Sequence, residues 1–161
     1  MPTPKLQPSR ALVAHKSNNA DIAVPNQIAG GTNTTATAFK LINSAATYIT
    51  KNLKTGDVVH NDTAGTAATI VSVDSQTQLT LNADIFPSTG QVYVVYAMSP
   101  QTSLGNQGCV LYVGTGGNVR VTTSGNDILT FVNVQDGTFF PINVIKLWET
   151  GTTASNIIAL W

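Results

Sequence analysis

The side chains best suited to acid–base or metal chemistry are two histidines, His15 and His60, one cysteine, Cys109, and eight carboxylates. Base catalysis needs a base within hydrogen-bond reach of its proton and usually a third group that orients it. His15 lies in an irregular stretch where a fixed catalytic geometry is not expected. His60 stands between Asp57 and Asp62, but strand alternation puts its immediate neighbours on the opposite face. No second histidine or cysteine is near it in sequence to suggest a metal site. His60 therefore reads as a surface histidine at a strand end. Gly114-Thr115-Gly116-Gly117-Asn118 has the glycines of a phosphate cradle, but a nucleotide loop leads into a helix and usually carries a lysine. Here Val119-Arg120-Val121-Thr122-Thr123 follows, which is strand, so the run reads as a hairpin turn. Asp84, Asp127 and Asp136 lack the alternating oxygen-ligand pattern of a calcium loop, and Asp136-Gly137 is a dipeptide favoured in tight hairpin turns. The expectation is a protein that is not an enzyme, with no catalytic residue, cofactor or metal.

The elements that must position these residues are β-strands. Charged residues are 10% of the chain, and Glu149 is the only glutamate against seven aspartates. Amphipathic helices are usually surfaced by Glu, Lys, Gln and Ala, so their raw material is scarce. Thr, Val, Asn and Gly supply β-branched strand residues and the positive-φ residues of turns. An all-β fold is expected. Eight basic and eight acidic side chains cancel without forming runs, which disfavours nucleic acid and anionic membrane as partners. Near-zero net charge also makes association easy. Cys109 has no partner for an internal disulfide and sits in the apolar run Cys109-Val110-Leu111-Tyr112-Val113, so it is expected to be a buried hydrophobe in a protein folded in the cytoplasm. The apolar stretch from Ala11 to Ala14 is too short for a signal peptide or a membrane span.

Residues 1–38 hold four prolines and only scattered apolar residues, with neither a helical nor a strand period. They read as a disordered leader or, slightly favoured, as an extended N-terminal arm whose apolar clusters lie on a neighbouring subunit. Residues 39–98 read as a small β domain. Its first part, Leu41 to Ile49, allows one or two helical turns. Strands follow at Val58 to Asn61, Ala67 to Val73, Gln78 to Leu81 and Val92 to Tyr96, giving a four-stranded meander or a small barrel. Residues 99–108 are a polar linker. Residues 109–161 read as a second antiparallel β unit, with strands at Cys109 to Val113, Val119 to Thr123, Ile128 to Val134, Ile142 to Trp148 and Ile157 to Trp161. Strand spacing of this kind, with turn residues between the runs, suits a sandwich or a barrel.

Candidate interface residues follow from this organisation. In the arm they are Leu12, Val13, Ile22, Val24 and Ile28, which are too apolar for a plain linker. In Phe139-Phe140-Pro141 two consecutive aromatics of an extended segment must point to opposite sides, one to the core and one to a partner. Trp161 is too large to be left in water, so it closes its own sheet, packs on a partner, or does both.

The ordered series Tyr112 to Thr123, Thr130 to Pro141 and Trp148 to Ala154 resembles a β module of tailed-bacteriophage structural proteins, over nearly all of Val110 to Trp161. Independently, Gly56 to Asn61, Thr63 to Val73, and Leu79-Thr80-Leu81 with Asp84-Ile85-Phe86 look like a small β domain that recurs in phage head and tail proteins. The resemblance implies a virion protein made in the host cytoplasm. Its expected role is a homo-oligomeric, trimeric capsid decoration or cement protein that binds the major capsid protein, with the arm clamping capsomers. The alternative is a tail, baseplate or fibre component that attaches to host glycans, for which Tyr93, Tyr96 or Trp148 would present aromatic faces. The resemblance supplies no catalytic residue.

Overall fold

The computed structural model describes residues 8–98 and 108–161, and the proposed linker lies outside them except for Gly108. Among the described residues there are twelve strands and no helix. In chain order they are β1 (Ala11–Val13), β2 (Gln27–Thr32), β3 (Lys40–Ile42), β4 (Val58–Asn61), β5 (Thr66–Val73), β6 (Gln78–Leu81), β7 (Val92–Tyr96), β8 (Cys109–Thr115), β9 (Gly117–Thr123), β10 (Ile128–Val134), β11 (Thr138–Leu147) and β12 (Ser155–Leu160). They form two six-stranded antiparallel sheets, in the orders β2-β7-β4-β5-β6-β3 and β1-β12-β8-β11-β9-β10.

The first sheet is built round the β-branched runs of β4, β5 and β7. Val59, Leu41, Ile70, Leu79 and Val95 point to one side and are almost wholly buried with Tyr48, Phe86 and Tyr93. The stretch expected to be helical begins instead as β3, whose Lys40 to Ile42 pair with Thr80 to Gln78 of β6. Two short turns follow, at Asn43 to Ala46 and at Thr47 to Leu53, and in the second the N–H of Lys51 donates to the carbonyl of Thr47 and that of Leu53 to Tyr48. Tyr48 and Leu53 enter the core from that turn. The edges of the sheet are drawn together where the N–H of Thr34, just beyond β2, donates to the carbonyl of Ile42 in β3 at 2.8 Å. The sheet thus curls round its core.

In the second sheet consecutive strands mostly do not pair. Only β9 and β10 make a hairpin, through the turn at Ser124 to Asp127. The two glycine-marked turns expected to be hairpins join strands that are not hydrogen-bonded neighbours, because β11 lies between β8 and β9 and β9 lies between β10 and β11. At Gly114 to Asn118 the chain turns a crowded corner. A Cβ on Gly116 would collide with the Val134 carbonyl, and Gly117, at φ 146°, lies against Thr153 and Ala154. These contacts explain the glycines without a ligand. Gly137 does adopt the positive φ expected of an Asp-Gly turn, 73°, but its turn carries the chain across the sheet. β11 is long because it serves two partners. Thr138 to Phe140 pair with β8, then the strand bends beyond Pro141, and Val144 to Leu147 pair with β9.

Residues 8–38 are extended, and their backbone is engaged within their own chain. β1 pairs with β12, Leu12 opposite Ala159 and Val13 opposite Ile158, and β2 pairs with β7. Between them, residues 14–26 run as a strap between the two sheets. Ala14 and Ile22 join the core of the second sheet, while Ala20 and Ala23 pack with Val58, Ala67 and Tyr96 on the outer face of the first. The Ser17 N–H donates to Leu147 and its hydroxyl to Ala67, one bond to each sheet. None of these partners is near the stretch in sequence, which is why it reads locally as an arm.

Candidate interaction surface and histidine cluster

The candidate interface residues divide by burial. Ile22 and Val24 are buried, Leu12 and Ile28 are half-buried against their own chain, and Trp161 packs on the second core with its backbone bonded to Arg10. Those five are structural in the single chain. Val13 is exposed on β1. Phe139 and Phe140 go to opposite sides, Phe140 into the core at 4% exposure and Phe139 outward at 62%.

Phe139 has an aromatic neighbour within the chain. It lies opposite Tyr112 across β11 and β8, and the two rings stand 5.0 Å apart between centroids. Beside it opens a cleft of about 430 Å³ lined by Phe131, Val132, Val134, Phe139, Pro141 and Ile142, among others. Val132, on β10, is as exposed as Phe139. β10 is an edge strand that pairs only with β9, and its sequence Ile-Leu-Thr-Phe-Val-Asn-Val carries no charge and no proline to discourage a further strand. A bulge between Phe131 and Val134, with Asn133 at φ 55°, is the only irregularity along it. An apolar cleft beside an open strand edge is the arrangement in which an extended segment of a partner can add to a sheet.

A second arrangement was not legible from the sequence. His60, read as a surface residue, is 3% exposed. It lies on β4, which is paired on both sides, with Ala67 of β5 and Val94 of β7 opposite it. Its side chain shares the strap-covered face with Val58, so burial comes from residues some forty positions earlier in the chain. His15, on the strap, stands edge-on to it with ring centroids 4.4 Å apart, and the Tyr96 ring lies 4.8 Å away on another side. Loss of water is the main reason that the His60 imidazole is pushed down to about 3, with the nearby His15 adding to the effect. Asp62 completes the group, its Oδ1 3.1 Å from His15 Nε2. Burial also raises the Tyr96 phenol, and the negative Asp62 adds to the shift.

The remaining aromatics and the thiol are occupied structurally. Tyr93 is buried and accepts a hydrogen bond from Asn43 Nδ2 at 2.8 Å, and Tyr48 lies 3.0 Å from its hydroxyl. Trp148 donates from Nε1 to Thr122 and carries the Lys146 ammonium 4.4 Å and the Arg120 guanidinium 5.0 Å from its ring centroid. Cys109 is buried, and its thiol is pushed up to about 12 by desolvation. The chain matches no family model, no curated protein and no solved structure.

Proposed function

We propose that this chain is a structural protein of a tailed-bacteriophage particle, a capsid decoration protein that self-associates and binds the major capsid protein on the head surface. The observation that carries the reading is the exposed cleft round Phe139 and Val132, set beside the unpaired edge of β10. Such a surface buries apolar area and continues a sheet with one docking event. Its walls belong to a paired sheet, so little ordering entropy opposes association. The sequence resemblance to phage structural modules supplies the biological setting, and the balanced charge suits short-range contacts repeated many times over a lattice.

The placement of the strap modifies the expected mode of attachment. Leu12, Ile22, Val24 and Ile28 serve their own chain, so the exposed aromatic surface replaces the arm as the docking element. Attachment to host glycans has less support, because Tyr93 and Tyr96 are buried and the Trp148 ring is attended by two cations.

Cryo-electron microscopy of particles from the source system tests the proposal. Density for this chain repeated over the head lattice, with Phe139 at a contact, supports decoration. Density confined to the tail, or absence from the particle, overturns it.

A further inference from the structure

We propose that His15, His60 and Asp62 form a binding site for a divalent transition-metal ion of the zinc class, which fastens the N-terminal strap to the first sheet. The ligand atoms of these three side chains all lie within 4.8 Å of one another. Two imidazoles and one carboxylate are a donor set that zinc accepts, with ligands about 2.0–2.2 Å from the metal and a fourth position left for water. Tetrahedral donors at those lengths stand roughly 3.3 Å apart. The His15 Nε2 to Asp62 Oδ1 separation of 3.1 Å already matches such an edge.

The supporting framework is fixed. Asp62 follows Asn61, whose buried Oδ1 accepts the N–H groups of Thr63 and Ala64 and so shapes the turn, while the Asp62 N–H donates to the Val92 carbonyl. The Asn61 amide donates in turn to Ile85. His15 lies between two anchored positions, Ala14 bonded to Ile157 and Ser17 bonded to Leu147. His60 is on a doubly paired strand. The site is therefore assembled from the strap, β4 and the turn after β4, and only the folded chain presents all three ligands.

Each ligand is also in a suitable state. His60 is buried on β4. Among the described residues its ring meets those of His15 and Tyr96, and no hydrogen bond occupies its nitrogens. Asp62 has a side chain 42% exposed, against 10% for His15, which leaves an entry route from solvent. In the absence of metal the His15–Asp62 contact holds two of the ligands together. An ion would replace that contact and draw in His60. The inference stands independently of any role in a phage particle.

The test is calorimetric titration of the metal-free full-length chain with zinc chloride, together with the visible spectrum after Co2+ addition and melting curves with and without Zn2+. The expected result is one equivalent bound, a Co2+ spectrum of tetrahedral type, and a rise in melting temperature with Zn2+. His15→Ala and Asp62→Asn should each weaken binding by more than about tenfold and remove the thermal shift. Circular dichroism of both variants checks that the β fold is kept. Absence of Zn2+ uptake by the wild-type chain, or uptake unchanged in both variants, overturns the proposal. His60→Ala adds a third comparison if it folds, but the outcome does not depend on it.

Discussion

Edge-on to the buried imidazole of His60, at 4.4 Å between ring centroids and 86° between ring planes, stands the imidazole of His15. The contact joins a residue of the strap to one of the most heavily paired strands in the chain. It makes one internal group of the first sheet depend on how the strap is seated.

That dependence gives stability a direction with pH. The His60 imidazole is held near 3 in the folded chain, against an ordinary value of 6.5. Between these values the unfolded chain binds a proton that the folded chain refuses, so stability falls as pH falls through this window. The contribution is retained above about pH 6.5 and is lost at up to about 1.4 kcal/mol per pH unit below it. Urea denaturation across the acid range should show this slope, and His60→Gln should flatten it. An equal slope in the variant would assign the acid sensitivity to other groups.

One of the strap's ties to the first sheet is a hydroxyl. Ser17 Oγ donates to the Ala67 carbonyl at 2.8 Å and accepts the N–H groups of Asn19 and Ala20. Ser17→Ala removes the hydroxyl from the buried Ala67 carbonyl and the buried Ala20 N–H, and should destabilise the fold by about 1–3 kcal/mol. Faster hydrogen exchange should appear first in residues 14–26. A loss of protection confined to the second sheet would contradict the bridging role.

Adjacent phenylalanines should behave as opposites. Phe140→Ala removes a core ring packed edge-to-face on Phe131 at 4.8 Å and should cost about 3–5 kcal/mol. Phe139→Asp forfeits only its contact with Tyr112 and should change stability by less than about 1 kcal/mol. Light scattering should nevertheless show self-association abolished in Phe139→Asp. A stable variant that still associates would move the interface elsewhere.

Gly116 provides a test of the corner between β8 and β9. An alanine there would drive its methyl group into the Val134 carbonyl, and the chain must shift to accommodate it. Thermal denaturation of Gly116→Ala should show a loss of about 2–3 kcal/mol. A freely solvated hairpin turn would tolerate the same change.

Local chemistry explains which parts of the fold could be read from the residues. The runs Val58 to Asn61, Gln78 to Leu81, Val92 to Tyr96 and Ile128 to Val134 are strands at the expected bounds, and the other strands of the second unit lie where expected with ends shifted by a few residues. In these runs β-branched density and flanking turn residues settle the local conformation. Pairing is decided by distant segments, and there the reading stops. Nothing in Gly114-Thr115-Gly116-Gly117 tells that β11 will come between the strands it joins. Likewise, β1 is three residues long and β2 contains Gly30 and Gly31, so neither has a strong strand signal of its own. Of the interaction surface, the divergence of Phe139 from Phe140 was legible because strand alternation enforces it. The histidine cluster was not, since His15 and His60 meet only through the path of the strap.

The pairing of β1 with β12 bears on how the molecule is made. During synthesis β1 leaves the ribosome first and β12 last, so the earliest strand has no edge to join until the latest one exists. The strap's bonds to the second sheet must wait as well, because Ser17 and Ile22 bond to Leu147 and Ile145. The first sheet can gather its local hairpins in the meantime. Joining of β1 and the strap to the second sheet is then a late, long-range event of folding.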